Sequence, residues 1–157
     1  MNQSGERYLE DFAVGQTFGS GKARIDGERA RAFAAEFDPQ PLHLDQAAAG
    51  RSIFGGLTAS GWHTAAVTMR LVVGTELKPA GGFIGAGFDD CRWPRPVRHG
   101  DQLRVECKVI EVRPSRSRPE QGLIKLRTTT LNQDGEAVLT YVVNLVVPRR
   151  EGASKKK

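Results

Sequence analysis

Asp38 and His43 stand five positions apart in the segment DPQPLH, whose prolines restrict the backbone on either side of them. A carboxyl and an imidazole of different intrinsic pKa, held at fixed separation, form an acid/base pair able to move protons to and from a reacting carbon or water. Each residue also has a plainer use: Asp38 can cap its local turn, and His43 can be an ordinary partly buried histidine. Further on, Ser60 and Gly61 open an apolar run. At a helix start the unpaired backbone N–H groups and the positive dipole end favour a negatively charged oxygen, such as that of a carbonyl turning into an enolate. The alternative is a helix start with Ser60 as N-cap and a glycine for tight packing.

The elements that must position these residues are legible in the periodicity. Residues 15–25, GQTFGSGKARI, read as an early edge strand or extended entry segment. From Asp26, a plausible N-cap, GERARAFAAEF places Ala30, Phe33, Ala34 and Phe37 at helical spacing. That helix must stop at DPQPLH, in a constrained turn. Asp45 caps a second short helix, and SIFGGLTAS follows as a loop. GWHTAAVTMRLVV is apolar around most of its circumference, the pattern of a buried helix. Trp62, Met69 and Phe83 are expected to pack in the core. After Gly74 come GFIGAGFDDCRW, QLRVECKVIEVR, GLIKLRTTTLN and AVLTYVVNLVV, strand-like and joined by turns, the last through an Asp-Gly. One apolar helix followed by this meander implies an α+β fold with an antiparallel sheet around the helix.

A chain of 157 residues suits one domain, taken as residues 1–150, with a disordered basic tail over 151–157. The net charge of +5 invites a nucleic-acid reading, but Lys155, Lys156 and Lys157 supply three of those charges. No aromatic-basic strand motif accompanies the charge, so nucleic acid is not an expected partner. No run approaches the ~20 apolar residues of a membrane span, and the N-terminus lacks the pattern of a signal peptide; neither a membrane nor export is expected, and a cytoplasmic location is. Cys91 and Cys107 lack metal or redox spacing and are read as reduced core or near-core residues.

The segment AEFDPQPLHLDQAAAGRSIFGGLTASGW resembles the signature of the MaoC-like dehydratases and R-specific enoyl-CoA hydratases, Gly-Asp-x-Asn-Pro-x-His-x-Asp, then Phe-Gly, then His-Gly. Asp38 falls on the catalytic aspartate, Pro41 on the proline, His43 on the catalytic histidine, Asp45 on the following acid and Gly61 on the oxyanion-hole glycine. Phe54 and Gly55 match the Phe-Gly, and RPVRHGDQL resembles the Pro-Val-x-x-Gly-Asp turn into the next strand. The likeness covers roughly residues 10–148. It departs at Phe37 for glycine, Gln40 for asparagine and Ser60 for histidine.

The resemblance implies a hot-dog fold, its antiparallel sheet wrapped round a central apolar helix. It also implies addition or removal of water across the α,β bond of an acyl-CoA thioester, by Asp38 and His43 in acid and base roles left open between them. Gly61 would bind the carbonyl oxygen, with Ser60, Gln40 and His63 as further substrate-binding candidates. Neither a metal nor an organic cofactor is implied. Arg92, Arg95 and Arg98 flank Trp93 and two prolines, and Arg113, Arg116 and Arg118 crowd the following hairpin loop; from these groups Arg95, Arg116 and Arg118 are candidates for the CoA phosphates, since guanidinium suits phosphate geometry. A homodimer or higher homo-oligomer is implied too. A thioesterase, with Asp38 activating water against the thioester carbonyl, and a non-catalytic acyl-thioester binding module are the alternatives.

Overall fold

The computed structural model describes residues 5–152. After a single 3₁₀ turn at Leu9–Asp11 come β1 (Thr17–Gly19), β2 (Ala23–Arg24), α1 (Gly27–Phe37), α2 (Pro41–Leu44), α3 (Gln46–Gly50), α4 (Gly61–Val73), β3 (Ile84–Arg92), β4 (Gln102–Pro114), β5 (Gln121–Leu131) and β6 (Ala137–Pro148). Asp26 caps α1 by accepting from the Arg29 N–H, and Asp45 caps α3 by accepting from Ala48. The basic tail expected over 151–157 lies, from residue 153 onward, outside the described residues.

The strands form one six-stranded sheet in the order β1-β4-β5-β6-β3, with β2 paired to β4 and every pairing antiparallel. Period-2 alternation sends Leu103, Val105, Cys107 and Val109 of β4, Ile124 and Leu126 of β5, and Tyr141, Val143, Leu145 and Val147 of β6 to one buried face. The same face carries Thr128 and Thr130, and the Thr130 hydroxyl bonds that of Thr68 on α4 at 2.7 Å, so α4 is docked over the sheet by a buried polar pair as well as by Leu71 and Val72. Between β5 and β6, Gly135 takes φ +74° in the tight turn, where the Asn132 side chain accepts from the N–H groups of Asp134 and Glu136.

The reading of α4 as buried nearly all round needs correction. Thr64, Thr68, Leu71 and Val72 are buried against the sheet, whereas Trp62 is 63%, Met69 42% and Val73 53% exposed. The expectation of core positions for Trp62 and Met69 therefore fails, while Phe83 is partly buried against the core. Periodicity reports that a helix is apolar but not which of its apolar faces its own chain covers. Cys91 is likewise exposed, not near-core, because all of β3 is exposed at the sheet edge; Cys107 is buried. Phe37, expected on the inner face of α1, is 63% exposed.

Candidate active site

Asp38 terminates α1: its N–H donates to Ala34 O at 2.8 Å, and Pro39 forbids continuation. The chain then re-enters a helix rather than a plain turn, since Pro41 sits in the first turn of α2, where its missing N–H is not needed. That single turn points His43 inward, at 7% exposure. Its Nδ1 lies 2.9 Å from Thr58 O and its Nε2 3.3 Å from Asp38 Oδ2. A carbonyl only accepts, so Nδ1 carries a proton and Nε2 faces the carboxylate.

The Asp38 carboxylate is held from three sides. The Ser60 hydroxyl donates to Oδ2 at 2.6 Å, the Gln40 amide donates to Oδ1, and His43 adjoins Oδ2. Burial works to raise this carboxyl, but the hydrogen bonds from Ser60 and Gln40, with the His43 charge, outweigh it and leave Asp38 below its ordinary value. Ser60 also caps α4 by accepting from Trp62 N–H at 3.2 Å. Its hydroxyl is thus committed to Asp38 and to the helix, not to the space where a substrate oxygen would sit. The Gly61 N–H, by contrast, donates to no group among the described residues.

Asp38, Gln40, His43, Gly61, Trp93 and Arg95 line one cavity of about 420 Å³. Its far wall is the Trp93 indole, which donates to Gly61 O at 3.0 Å and meets Trp62 edge to face at 5.5 Å between ring centroids. The loop beneath is fixed by Arg98, whose guanidinium donates to Phe54 O at 2.6 Å and Gly56 O at 3.4 Å, and by Ala59 N–H to Val97 O at 2.8 Å. Arg95 pairs with Glu136 at 3.1 Å on the exposed rim.

Of the sequence candidates, Asp38, His43, Ser60, Gly61 and Gln40 come together, with Arg95 beside them. His63 does not line the cavity; it faces Phe33 at 5.1 Å, with Nδ1 buried and without a hydrogen-bond partner. Burial lowers its pKa, helped by His99 and Arg29. Arg116 lines a groove of about 490 Å³ with Arg113 at the β4–β5 turn, and Arg118 lies in the same turn. The cavity adjoins the opposite end of β4, whose 13 residues span roughly 40 Å, so neither arginine reaches the site of its own chain. No group of three or more His, Cys, Asp or Glu side chains suited to a metal ion occurs among the described residues.

The sequence reading missed Trp93 and Thr58, and took Arg98 only as one of a group of arginines suited to phosphate. Thr58 contributes a backbone carbonyl, which any residue type supplies, and Arg98 grips carbonyls 42 and 44 positions away. Trp93 carries a sequence signal, a bulky indole flanked by prolines and arginines, but there the arginines alone suggest a ligand.

Residues 11–131 match the model of the MaoC like domain. The chain is 51% identical to a MaoC-like dehydratase from Rhodospirillum rubrum of known structure, with a TM-score of 0.88 over 92% of this chain and 98% of that one. It is 32% identical to the 3-hydroxybutyryl-CoA dehydratase of Methylorubrum extorquens, over 93% of this chain and 87% of that protein. An (R)-hydratase from A. caviae involved in PHA biosynthesis is 26% identical, with a TM-score of 0.71 over 88% of this chain and 99% of that one. The shared architecture is the hot-dog fold.

Proposed function

The chain belongs to the MaoC-like domain family, and from that membership we propose that it is a hydro-lyase acting on acyl-CoA thioesters, adding water across the α,β double bond or removing it. The observation that carries this reading is the convergence of Asp38 Oδ2 and His43 Nε2, 3.3 Å apart, with the unengaged Gly61 N–H in one cavity. In the hydration direction the Asp38 carboxylate, kept ionised by Ser60 and Gln40, takes a proton from water as its oxygen attacks the β-carbon. The protonated imidazole, anchored through Nδ1 on Thr58 O, delivers the Nε2 proton to the α-carbon. Gly61 N–H holds the thioester oxygen while negative charge builds there, aided by the positive end of α4. Dehydration runs the same transfers backwards.

Several features support the rest of the reading. Arg95 is exposed at the rim and paired with Glu136, itself partly exposed, and in this reading it would exchange Glu136 for a CoA phosphate. The unpaired edge of β3 and the exposed Ile84, Phe88, Met69 and Val73 favour pairing with a second copy of this chain. In the same reading the chain is one domain with a cytoplasmic location; among the described residues no helix is long and apolar enough to cross a membrane.

The test is enoyl-CoA hydration, followed by loss of the conjugated double bond, in the wild type, Asp38→Ala and His43→Ala. Each variant is expected to lose ~10²-fold or more of turnover. Unchanged turnover in both variants rejects the assignment, and release of free thiol without hydration selects thioester hydrolysis instead.

A further inference from the structure

Gly61 presents a conflict between two requirements. A Cβ at this position would stand 2.9 Å from Trp93 Nε1 and 3.0 Å from Cε2, so a larger residue would force the indole to move. Glycine is also the residue with the loosest backbone, and a donor that must meet developing charge gains most when its direction is fixed beforehand. The Ser60 cap fixes the peptide N–H that follows, that of Trp62. The preceding peptide plane, which carries the Gly61 N–H, is held by Ser60 O accepting from the His63 and Thr64 N–H groups at 3.0 and 3.1 Å, and the Gly61 carbonyl lies in the same plane as the Trp62 N–H. That carbonyl receives the Trp93 indole N–H at 3.0 Å, in addition to facing the helix's own donor at Ala65.

We infer that Trp93 is a positioning residue for the oxyanion donor: by packing on the Gly61 Cα and hydrogen-bonding its carbonyl, it holds the two peptide planes that meet at Gly61 in the relative orientation the helix start gives them, and with it the aim of the Gly61 N–H. This rests on the hydration reading, and it gives that site a residue acting through Gly61 rather than on the reacting atoms. The indole is itself steadied by Trp62, edge to face at 5.5 Å. An aromatic wall alone would ask only for a ring. The hydrogen bond asks for an indole.

The test compares wild type, Trp93→Phe, Trp93→Ala, Gly61→Ala and the Gly61→Ala/Trp93→Ala pair by kcat, KM and Tm. Trp93→Phe keeps a ring and loses the N–H; it is expected to lower kcat roughly tenfold with KM and Tm little changed, less than the ~10²- to 10³-fold loss of an oxyanion donor removed outright. Gly61→Ala is expected to cost much more in the wild type than in the Trp93→Ala background, because the clash is with the indole. An unchanged kcat in Trp93→Phe, or additive losses in the pair, overturns the proposal.

Two readouts do not depend on turnover. In the wild type the Trp93 indole proton is expected to exchange with solvent more slowly than that of Trp62, and equal exchange overturns the proposal. If the wild type hydrates no enoyl-CoA, the hydration reading fails by itself. The ¹H–¹⁵N cross-peak of Gly61 then decides, since it must move in Trp93→Phe, and an unmoved cross-peak overturns the positioning role.

Discussion

The Ser60 hydroxyl donates to Asp38 Oδ2 at 2.6 Å across 22 positions of sequence, so the residue that caps α4 also sets the charge state of the carboxylate. Removing it leaves the burial of Asp38 in place and takes away one of the hydrogen bonds that oppose it. Ser60→Ala should therefore raise the Asp38 pKa, because a donor to the charged form has gone. The acid limb of the kcat/KM profile for hydration is expected to move to higher pH, with turnover at neutral pH falling roughly tenfold. An unmoved limb would separate Ser60 from the carboxylate.

Among the glycines of the described residues, Gly122 on β5 is the most closely packed. A Cβ there would strike the Leu9 side chain and come within 2.7 Å of Arg113 O. Since Arg113 O is backbone and cannot swing aside, Gly122→Ala is expected to destabilise by about 1–3 kcal/mol or more. Denaturant unfolding checks this, and a variant of wild-type midpoint would mean that the 3₁₀ turn carrying Leu9 gives way freely.

His63 and His99 are both held below the ordinary histidine pKa. For His63 the causes are burial, then His99 and Arg29; for His99 they are burial, then Arg31 and His43, opposed by Asp26. The unfolded chain thus binds more protons than the folded one as pH falls below about 6.5. Their contribution to stability is complete above that pH and is lost on acidification through the lower folded values. Urea midpoints should fall between about pH 7 and pH 5, and the fall should flatten in His63→Gln and in His99→Gln. A slope unaltered by either variant would place the proton uptake elsewhere.

The exposed row on β3 and α4 predicts self-association. Wild-type protein should sediment as a dimer or larger, and Ile84→Lys, which puts a charge on the free edge at a residue 52% exposed, should shift it toward monomer. A wild type that sediments as a monomer removes the premise.

Much of this was readable beforehand, for identifiable reasons. The starts of α1 and α4 follow from Asp26 and Ser60, whose side chains cap as their types suggest, and the strands β3 to β6 follow from alternation and turn residues. Asp38, Gln40 and His43 were legible as neighbours because a short proline-bounded segment keeps them close. Contacts made by backbone groups at long range were not: nothing local announces that Thr58 O receives His43 Nδ1, or that Arg98 holds the loop at Phe54. The placement of Arg116 and Arg118 illustrates the same limit. Their type suits phosphate, but strand length, not charge, puts them at the end of the sheet away from the cavity of their own chain.

The pairing of Trp62 with Trp93 has an optical consequence. These are the only two tryptophans in the chain, and both stand at the cavity mouth, 63% and 40% exposed. Practically all indole emission therefore originates within one side-chain length of Gly61, with none from the deep core. Emission wavelength and quencher access become a local gauge of what enters that mouth, while loss of the distant sheet would register only once the mouth itself came apart.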